Sequence, residues 1–342
     1  MDIRRPYFIA EAGVNHEGDL IRAYDMIDAA AESGADAIKF QSYKAHNLAL
    51  AESPSYWDLN QESCISQRKL FERFDSFNTD DYVRLANRCE DVGLDFMTTC
   101  FDDNFMRNLG PLQKRIKIAS ADITNRLLID AALELEKPLL LSTGASTLAE
   151  IDRAVSYIQA NCSHALTLLH CVLRYPCEIE HAGLKFMQTL RERFVNCQIG
   201  YSDHCDQVTF FPQLAVAIMH GATVIEKHFT LDKSLTGNDH YHSFDPVDLA
   251  NYRRFVDMMM LSNGDVSEDR AEERVAIENA RRCLVWKRSL PSGHVVTRQD
   301  LDALRPFKGR LDPFEYDSVI GSKLTVDVQC GNAVGIDEFD QR

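Results

Sequence analysis

Polar side chains end a series of short apolar runs in the first 265 residues of this 342-residue sequence. The polar positions at or just beyond these runs are Glu11, Lys39, Gln41, Thr99, Lys117, Ser120, Ser142, His170, Tyr175, Ser202, His204, Glu226 and His228. Two lysines among serine and threonine hydroxyls suit a ligand with phosphate and carboxylate groups, because charge-assisted donors match anionic oxygens. Each lysine could instead be one half of a buried ion pair. The combination favours an anion-binding site.

His204 and His228 follow two successive runs and form a candidate metal site. Either histidine alone would more often be a hydrogen-bonded core residue, but together they offer two imidazole nitrogens to one ion. With a carboxylate and water, they suit Mn²⁺, Fe²⁺ or Zn²⁺ better than the all-oxygen shell that Mg²⁺ prefers. His170, which lies beside Cys171, is interpreted as a core residue.

Glu11 ends the first apolar run. A carboxylate buried there needs a hydrogen-bond or ion-pair partner, or it has a functional role. Close to a metal-bound carbonyl, Glu11 could orient a substrate or carry a proton. The alternative is a salt bridge to one of the two lysines. The residue types alone leave both interpretations open.

Hydrophobic periodicity predicts the elements that must position these residues. Apolar runs of strand length occupy 7–11, 36–42, 94–99, 115–119, 138–143, 166–171, 197–201 and 223–228. Helical spacing of apolar residues occupies 20–33, 80–92, 148–160, 184–194 and 208–220. N-cap candidates at 78–80 and 145–147, and glycines at 34, 93 and 221, mark where helices begin and end.

Eight strand–helix units in roughly 250 residues predict an α/β fold, a closed parallel (β/α)₈ TIM barrel. Such a barrel has its site at the carboxyl ends of its strands, where the polar positions stand. An open doubly wound sheet is the alternative. It would need a phosphate-binding glycine fingerprint, and neither G-x-G-x-x-G nor G-K-[ST] is present.

Two segments depart from the strand–helix rhythm. Residues 43–78, which include Tyr56, Trp57 and Asn60, are too long for an ordinary βα loop and predict a wall or lid of the site. The predicted organisation is a catalytic barrel over 1–265, a polar linker over 266–281 and a small β-rich module over 282–342. A module of this size is expected to pack on another surface.

Composition narrows the classes of partner. The formal charge of −15, from 37 basic and 52 acidic residues, argues against nucleic acid and anionic membrane surfaces. No apolar run reaches the roughly 18 residues of a membrane helix, and the N-terminus has no signal-peptide pattern, so a cytoplasmic protein is expected. Ten scattered cysteines without a C-x-x-C pair are interpreted as reduced thiols, mostly in the core.

Several strings together resemble the sialic acid synthase family, which includes legionaminic and pseudaminic acid synthases. They are IAEAGVNHEGD (9–19), GADAIKFQSYK (34–44), KIASADITN (117–125), LSTGAST (141–147), LLHCVLRYP (168–176), GYSDH (200–204) and GATVIEKHFTLDK (221–233). The tail RSLPSGHVVTRQDLDALRP (288–306) resembles the family's C-terminal SAF, or antifreeze-like, domain. The resemblance covers nearly the whole chain in the family's order.

The resemblance implies a transferase reaction. Phosphoenolpyruvate adds through C3 to the aldehyde of an N-acetylated hexosamine, water enters at C2 and phosphate leaves. A divalent metal, Mn²⁺ or Mg²⁺, would be held by His204 and His228. The phosphoenolpyruvate contacts would be Lys39, Thr99, Lys117, Ser120, Ser142 and Ser202. Glu11, Gln41, Tyr175 and Asp239 would handle the sugar, with Glu11 and the two histidines as the catalytic residues. Arg305 would reach the sugar's N-acetyl group from the partner subunit, which implies a domain-swapped homodimer.

The departures from the family pattern fall around the sugar. Cys100 replaces the usual proline after the third strand, Val172-Leu173-Arg174 replaces small polar residues, and Phe307 replaces a glycine. The family's G-x-DH run appears as GNDHYHSFDP (237–246), which keeps Asp239 and has His240 and His242 nearby. The acceptor therefore need not be plain N-acetylmannosamine. Condensation with another sugar or sugar phosphate, with Arg174 as a phosphate clamp, and a non-catalytic sugar-binding barrel are the alternatives.

Overall fold

Eight strands alternate with helices along the first unit of the chain, as the apolar runs predict. A computed structural model describes residues 4–57, 59–60, 62–206, 210–237, 239–265, 268–308 and 310–340. The strands are β1 (Tyr7–Gly13), β2 (Ala37–Ser42), β3 (Asp95–Cys100), β4 (Ile116–Ile118), β5 (Leu139–Ser142), β6 (Leu166–His170), β7 (Gln198–Asp203) and β8 (Val224–His228). Within the described residues they pair in parallel in chain order and close into a barrel, because β1 also pairs with β8. The predicted TIM barrel is confirmed, and the open-sheet alternative is wrong.

Ten helices of this unit are described. They are α1 (Leu20–Glu32), α2 (Ala45–Leu48), α3 (Gln67–Phe71), α4 (Thr79–Val92), α5 (Asp103–Leu109), α6 (Arg126–Leu133), α7 (Leu148–Asn161), α8 (Phe186–Arg193), α9 (Pro212–Met219) and α10 (Pro246–Ser262). Asn78 and Thr147 cap α4 and α7 through reciprocal capping boxes, as their sequence positions predict. The helix predicted from Val208 begins in the structure at Pro212, whose fixed φ suits a first turn; Val208 itself lies outside the described residues.

The inside of the barrel is built in two layers, because side chains two residues apart on a strand share a face. The lower layer is apolar and consists of Ile9, Ala37, Met97, Leu140, Leu169 and Val224. Two residues further along the same strands stand Glu11, Lys39, Thr99, Ser142, Cys171 and Glu226. The apolar layer closes the amino end of the barrel, so the polar layer faces the carboxyl end. A larger apolar core lies between the strands and the helices.

Residues 43–78 are ordered by short elements of their own. They contain α2 and α3, and an antiparallel bridge pairs Pro54 with Ser66. Lys44 donates to the carbonyl of Phe77 at 3.0 Å, which joins the two ends of the segment. Of this segment, Asp58 and Gln61 lie outside the described residues.

The chain divides into two compact units, Met1–Asn263 and Gly264–Arg342. In the second unit, α11 (Arg274–Ala280) precedes β9 (Cys283–Trp286) and β10 (Leu301–Leu304), which form an antiparallel pair. Trp286 is fully buried in a small apolar core of its own and donates from Nε1 to Glu338 Oε2 at 3.0 Å. Residues 266 and 267 of the predicted linker lie outside the described residues.

All ten cysteines lie in the described residues and are free thiols. Seven are buried, two are partly buried, and Cys330 is exposed. None of the described helices is both long and apolar enough to span a membrane.

Candidate active site

A cavity of about 610 Å³ opens where the carboxyl ends of the strands meet. Twelve of the predicted site residues line it: Glu11, Lys39, Gln41, Thr99, Lys117, Ser120, Ser142, Tyr175, Ser202, His204, His228 and Asp239. Arg305 lies in the second unit, exposed at the end of β10. His170 is not among the lining residues of this cavity; its ring nitrogen Nε2 contacts the carbonyl of Ala182 at 2.7 Å.

Lys39 lies at the centre of a buried charge cluster. Strand register places it beside Glu11, and its Nζ lies 2.5 Å from Glu11 Oε2. It also donates to Thr99 Oγ1 at 3.0 Å and lies 3.7 Å from Glu226 Oε2. The ion pair that the sequence left as an alternative therefore exists, and it lies inside the candidate anion site. Glu11 and Glu226 both lie within 4 Å of the Lys39 ammonium group.

Lys117 completes this cluster from the other side. Its Nζ lies 3.2 Å from Glu226 Oε1, which also accepts a hydrogen bond from Ser202 at 3.0 Å. Lys39, Lys117 and Glu226 are all buried, with 5% or less of each residue exposed. The two ammonium groups thus lie in one small region on either side of Glu226, so an anion that enters this region meets two charge-assisted donors.

The two buried carboxylates differ in acidity. Burial by itself would raise the pKa of Glu226, but Lys117 and then Lys39 outweigh it and lower that pKa to about 2. Burial raises the pKa of Glu11, and the attraction of Lys39 does not fully offset it because Glu226 also repels the Glu11 charge. Glu226 is therefore a fixed anion, whereas Glu11 is the carboxylate that exchanges a proton more readily.

The loops after β4 and β5 present further polar groups to the cavity. Ser120 Oγ accepts from the backbone N–H of Gly144 at 2.9 Å and lies 3.0 Å from Cys171 Sγ. The backbone of Gly144 lies so close to Cys171 that a Cβ at position 144 would be only 2.7 Å from Cys171 Sγ, so a side chain there would clash. Ser142 Oγ is buried and has no hydrogen-bond partner among the described residues. A buried hydroxyl without a protein partner is a candidate contact for a bound ligand.

His204 and His228 face each other across the top of β7 and β8, with ring centroids 5.5 Å apart. His204 Nδ1 lies 2.7 Å from the carbonyl of Val172, so Nδ1 carries the proton and Nε2 keeps a lone pair. Burial lowers the pKa of His204 to about 4 and, with the neighbouring His242, lowers that of His228 well below its usual range. Both rings are neutral at physiological pH, which is the form that binds metal.

Asp239 and His242 lie on the other side of His228. Asp239 Oδ2 is 3.4 Å from His228 Nδ1, and Asp239 Oδ1 is 3.8 Å from His242 Nε2. His228, Asp239 and His242 form a group whose ligand atoms lie within 4.8 Å of one another. His204, the predicted partner of His228, is not a member of this group.

Aromatic side chains build the outer wall of the cavity. Residues 43–78 supply most of it, as predicted: Tyr43, Tyr56, Trp57, Phe71 and Phe74, with Phe101 after β3. Trp57 Nε1 donates to the carbonyls of Glu62 and Cys64, at 3.1 Å each, which fixes the indole against its own segment. Asn60 is not among the lining residues.

Two of the departures from the family pattern have simple structural explanations. Cys100 is buried, and Gln113 Nε2 contacts its Sγ at 3.8 Å, so the thiol fills a core position. Arg174 forms an exposed ion pair with Glu178 at 2.7 Å and does not line the cavity. The structure therefore favours the interpretation of Arg174 as a loop charge over its interpretation as a phosphate clamp.

Sequence reasoning gave no role to Glu226 and did not group His242 with the site. The two lysines predicted for the barrel interior could have indicated Glu226, because buried positive charges require a carboxylate as counter-charge. His242 had the weaker signal of a histidine three residues after Asp239 in a run that departs from the family pattern.

The chain is similar in sequence and in fold to several known proteins. A sequence profile described as the NeuB family matches residues 26–268. An N,N′-diacetyllegionaminic acid synthase from Legionella pneumophila is 36% identical over 338 residues, which cover 96% of this chain and 93% of that protein. A synthase of the same name from Campylobacter jejuni is 33% identical, covering 94% and 97%. The crystal structure of a sialic acid synthetase from Leptospira borgpetersenii, in complex with citrate, is 34% identical, with a TM-score of 0.69 over 80% of this chain and 91% of that one.

Proposed function

The chain belongs to the NeuB family, and from this premise we propose that it is a nonulosonic acid synthase. It would join phosphoenolpyruvate to an N-acetylated hexosamine and release phosphate. The observation that carries the proposal is that Lys39 and Lys117 point into the same cavity as His204 and His228. One cavity thus offers an anion cradle and two neutral imidazoles side by side.

Phosphoenolpyruvate is the ligand that suits the lysine side. Its carboxylate and phosphate would be bound by Lys39 and Lys117, with hydrogen bonds from Thr99, Ser120, Ser142 and Ser202 at the edges of the cradle. Glu226 would keep both ammonium groups in place, since it lies 3.7 Å from Lys39 Nζ and 3.2 Å from Lys117 Nζ. The unpartnered Ser142 hydroxyl supports a bound oxygen at that end.

A divalent metal fits the histidine pair, because both rings are neutral and His204 is oriented through Nδ1. His204 and His228 would hold it, and imidazole ligands favour Mn²⁺ over Mg²⁺. The ion would supply Lewis acidity that polarises the aldehyde of the sugar. Glu11, whose raised pKa suits proton exchange, would orient or deprotonate a reacting group. Gln41, which donates to Glu11 Oε1 at 3.1 Å, would fix that carboxylate and contact the sugar.

The acceptor that we propose is an unphosphorylated 2,4-diacetamido-trideoxyhexose. Among the described lining residues, the lysines and arginines are only Lys39 and Lys117, so a sugar phosphate would meet no second cationic clamp. The aromatic wall suits the methyl and acetyl groups of a deoxygenated, twice-acetylated sugar. Tyr175 and Asp239 would contact this sugar beside the metal. Two relatives named for N,N′-diacetyllegionaminic acid support the same acceptor class.

The second unit would complete the site from a neighbouring molecule. We propose a domain-swapped homodimer in which Arg305 of one subunit contacts the acetamido group bound by the other subunit's barrel. The exposed position of Arg305 supports this role, because an exposed guanidinium is free to reach a second chain.

The proposal is tested by phosphate release from phosphoenolpyruvate with Mn²⁺ and three kinds of acceptor. These are N-acetylmannosamine, its 6-phosphate and the 2,4-diacetamido-trideoxyhexoses. We expect release that depends on a diacetamido sugar and is lost, together with bound Mn²⁺, in His228→Ala. Release with the 6-phosphate alone would contradict the proposed acceptor. Calorimetric binding of a sugar without release, for every metal and acceptor, would instead favour a non-catalytic binding protein.

A further inference from the structure

Within the group of His228, Asp239 and His242, His242 is the residue that does not line the cavity and that the proposed function does not use. His242 is 0% exposed, and neither of its ring nitrogens has a hydrogen-bond partner among the described residues. His228 Nδ1 is also buried without such a partner. Buried polar atoms are normally paired, so His228 Nδ1 and His242 Nε2, which both face the Asp239 carboxylate without a hydrogen-bond partner, point to a missing ligand.

We propose that His228, Asp239 and His242 form a second divalent-metal site, which competes with the His204–His228 pair. The donor set is two imidazole nitrogens and one carboxylate, which suits Zn²⁺ and Co²⁺ rather than the oxygen shells of Mg²⁺ or Ca²⁺. Metal–ligand bonds of about 2.1 Å place neighbouring ligand atoms roughly 3.0–3.5 Å apart. His228 Nδ1 lies 3.4 Å from Asp239 Oδ2, and His242 Nε2 lies 3.8 Å from Asp239 Oδ1. The ligand atoms of the three residues lie within 4.8 Å of one another, so side-chain shifts of about 1 Å would bring them to the spacing of a bound ion.

Competition follows from the chemistry of His228. Its Nδ1 faces Asp239, whereas the pair with His204 would use the other nitrogen, Nε2. A neutral imidazole has one lone pair, on one nitrogen, and a proton on the other. An ion held through Nδ1 therefore leaves Nε2 protonated and unable to bind a second ion. The two sites exclude each other, so the protein binds one equivalent of Zn²⁺ in either arrangement.

The inference goes beyond the proposed synthase function and does not depend on it, because it is measured on the resting protein without substrates. Zn²⁺ is titrated into chelator-treated full-length protein against a chromophoric chelator, and Co²⁺ absorption in the visible range reports the ligand environment. We expect one equivalent of Zn²⁺ in the unaltered protein. His204→Ala leaves the second site intact and should still bind one equivalent, with an affinity within about tenfold of the unaltered protein.

The decisive comparison is made in the His204→Ala background. Adding His242→Gln should weaken Zn²⁺ binding by at least about 100-fold, since even the loss of an outer partner of a ligand costs about 10–100-fold. The matched control adds His240→Gln, because His240 is equally buried in the same loop but bonds Thr230 at 2.7 Å and lies outside the group. This control should bind as tightly as His204→Ala alone.

Two results would overturn the inference. One is loss of all Zn²⁺ binding in His204→Ala, which would mean that only the His204–His228 pair holds metal. The other is equal affinity in the His242→Gln and His240→Gln double variants. If His242→Gln does not fold, Asp239→Asn replaces it with almost no change in size, and unchanged binding in that variant is equally contrary. Failure of the synthase assay has no bearing on either measurement.

Discussion

Lys227 and Asp203 are paired in the register of β8 and β7, and their charged groups form an ion pair of 3.1 Å that is completely buried. Lys227 Nζ also donates to the carbonyl of Cys205, and Asp203 accepts from Tyr201 and Gln213. The pair stands on the outer face of the barrel. Each residue of the pair directly precedes a candidate metal ligand in the sequence: Asp203 precedes His204, and Lys227 precedes His228. The ion pair therefore holds the strand ends that carry the candidate metal ligands.

Asp203→Asn should destabilise the barrel by about 3–5 kcal/mol, because it leaves the Lys227 charge buried without its partner. Urea unfolding followed by far-ultraviolet circular dichroism measures the change. The double variant Asp203→Asn/Lys227→Met should recover part of the loss. Asp152→Asn removes an exposed ion pair with Arg193 and serves as the control, with little change expected. Equal stability of all the variants would contradict the account.

Lys117→Met tests the anion cradle. It removes one of the two cations that face the cavity, so kcat/KM for phosphoenolpyruvate should fall by about 10–150-fold, the equivalent of about 1.5–3 kcal/mol for a hydrogen bond to a charged group. Steady-state kinetics with varied phosphoenolpyruvate measures it. Lys185→Met removes one exposed positive charge elsewhere and controls for the overall charge of the protein. An unchanged kcat/KM in Lys117→Met would remove this residue from the cradle.

Glu11→Gln should lower kcat by about 10²–10⁴ if the carboxylate transfers a proton. Because burial raises the pKa of Glu11, the ionised base accumulates only as pH rises above its usual range. In the unaltered enzyme, kcat should therefore rise with pH on the acidic side of the pH–rate profile. This acidic limb should be absent in Glu11→Gln. Glu62→Gln, another carboxylate of the cavity wall, should keep the limb. A limb that survives in Glu11→Gln would assign it to a different group.

Mixing two inactive variants tests whether Arg305 acts across a dimer. A subunit with Glu11→Gln supplies an intact Arg305, and a subunit with Arg305→Ala supplies an intact barrel. If Arg305 serves the partner's barrel, half of the randomly mixed dimers contain one complete site, so about a quarter of the normal activity returns. Arg305→Ala mixed with itself is the control. No recovery, with dimer exchange verified by differently tagged subunits, would mean that Arg305 does not act in trans.

Asp300 should make the second unit sensitive to acid. This buried carboxylate accepts hydrogen bonds from Arg288, His294 and Thr297. Burial alone would raise its pKa, but these bonds outweigh that effect and hold the pKa well below the usual range. The stabilisation is therefore complete above about pH 4, the ordinary Asp value, and is lost as pH falls towards the lowered pKa.

Tryptophan fluorescence can follow the second unit alone once Trp57 is replaced. The chain has two tryptophans, Trp57 in the first unit and Trp286 in the second. In a Trp57→Phe background, Asp300→Asn should lower the unfolding temperature at pH 7 and reduce its dependence on pH. Asp302→Asn, which alters an exposed carboxylate on the adjoining strand, is the control. The same pH dependence with and without the Asp300 carboxylate would contradict its role.

The sequence by itself determined the barrel and most of the polar residues that line the candidate site. Strand-length apolar runs that end in polar residues follow from local chain geometry, because alternate side chains of a parallel strand all face one interior. The position of Glu11 two residues after Ile9, and of Lys39 two residues after Ala37, therefore places both in the same inner layer. Helix starts such as Asn78 and Thr147 are equally local, since a cap is satisfied within three residues.

Only the tertiary structure decided which charges meet and which nitrogens remain free. Lys39 lies between Glu11 and Glu226 because closing the barrel makes β8 a neighbour of β1, and nothing in local sequence gives the 3.7 Å separation of residues 39 and 226. His242 lies in a loop without regular structure, so no periodicity predicts which face of that loop it occupies. Distances between side chains from different strands and loops depend on closure and packing of the whole chain. Composition and spacing name the candidates for a site, whereas the fold assigns their partners.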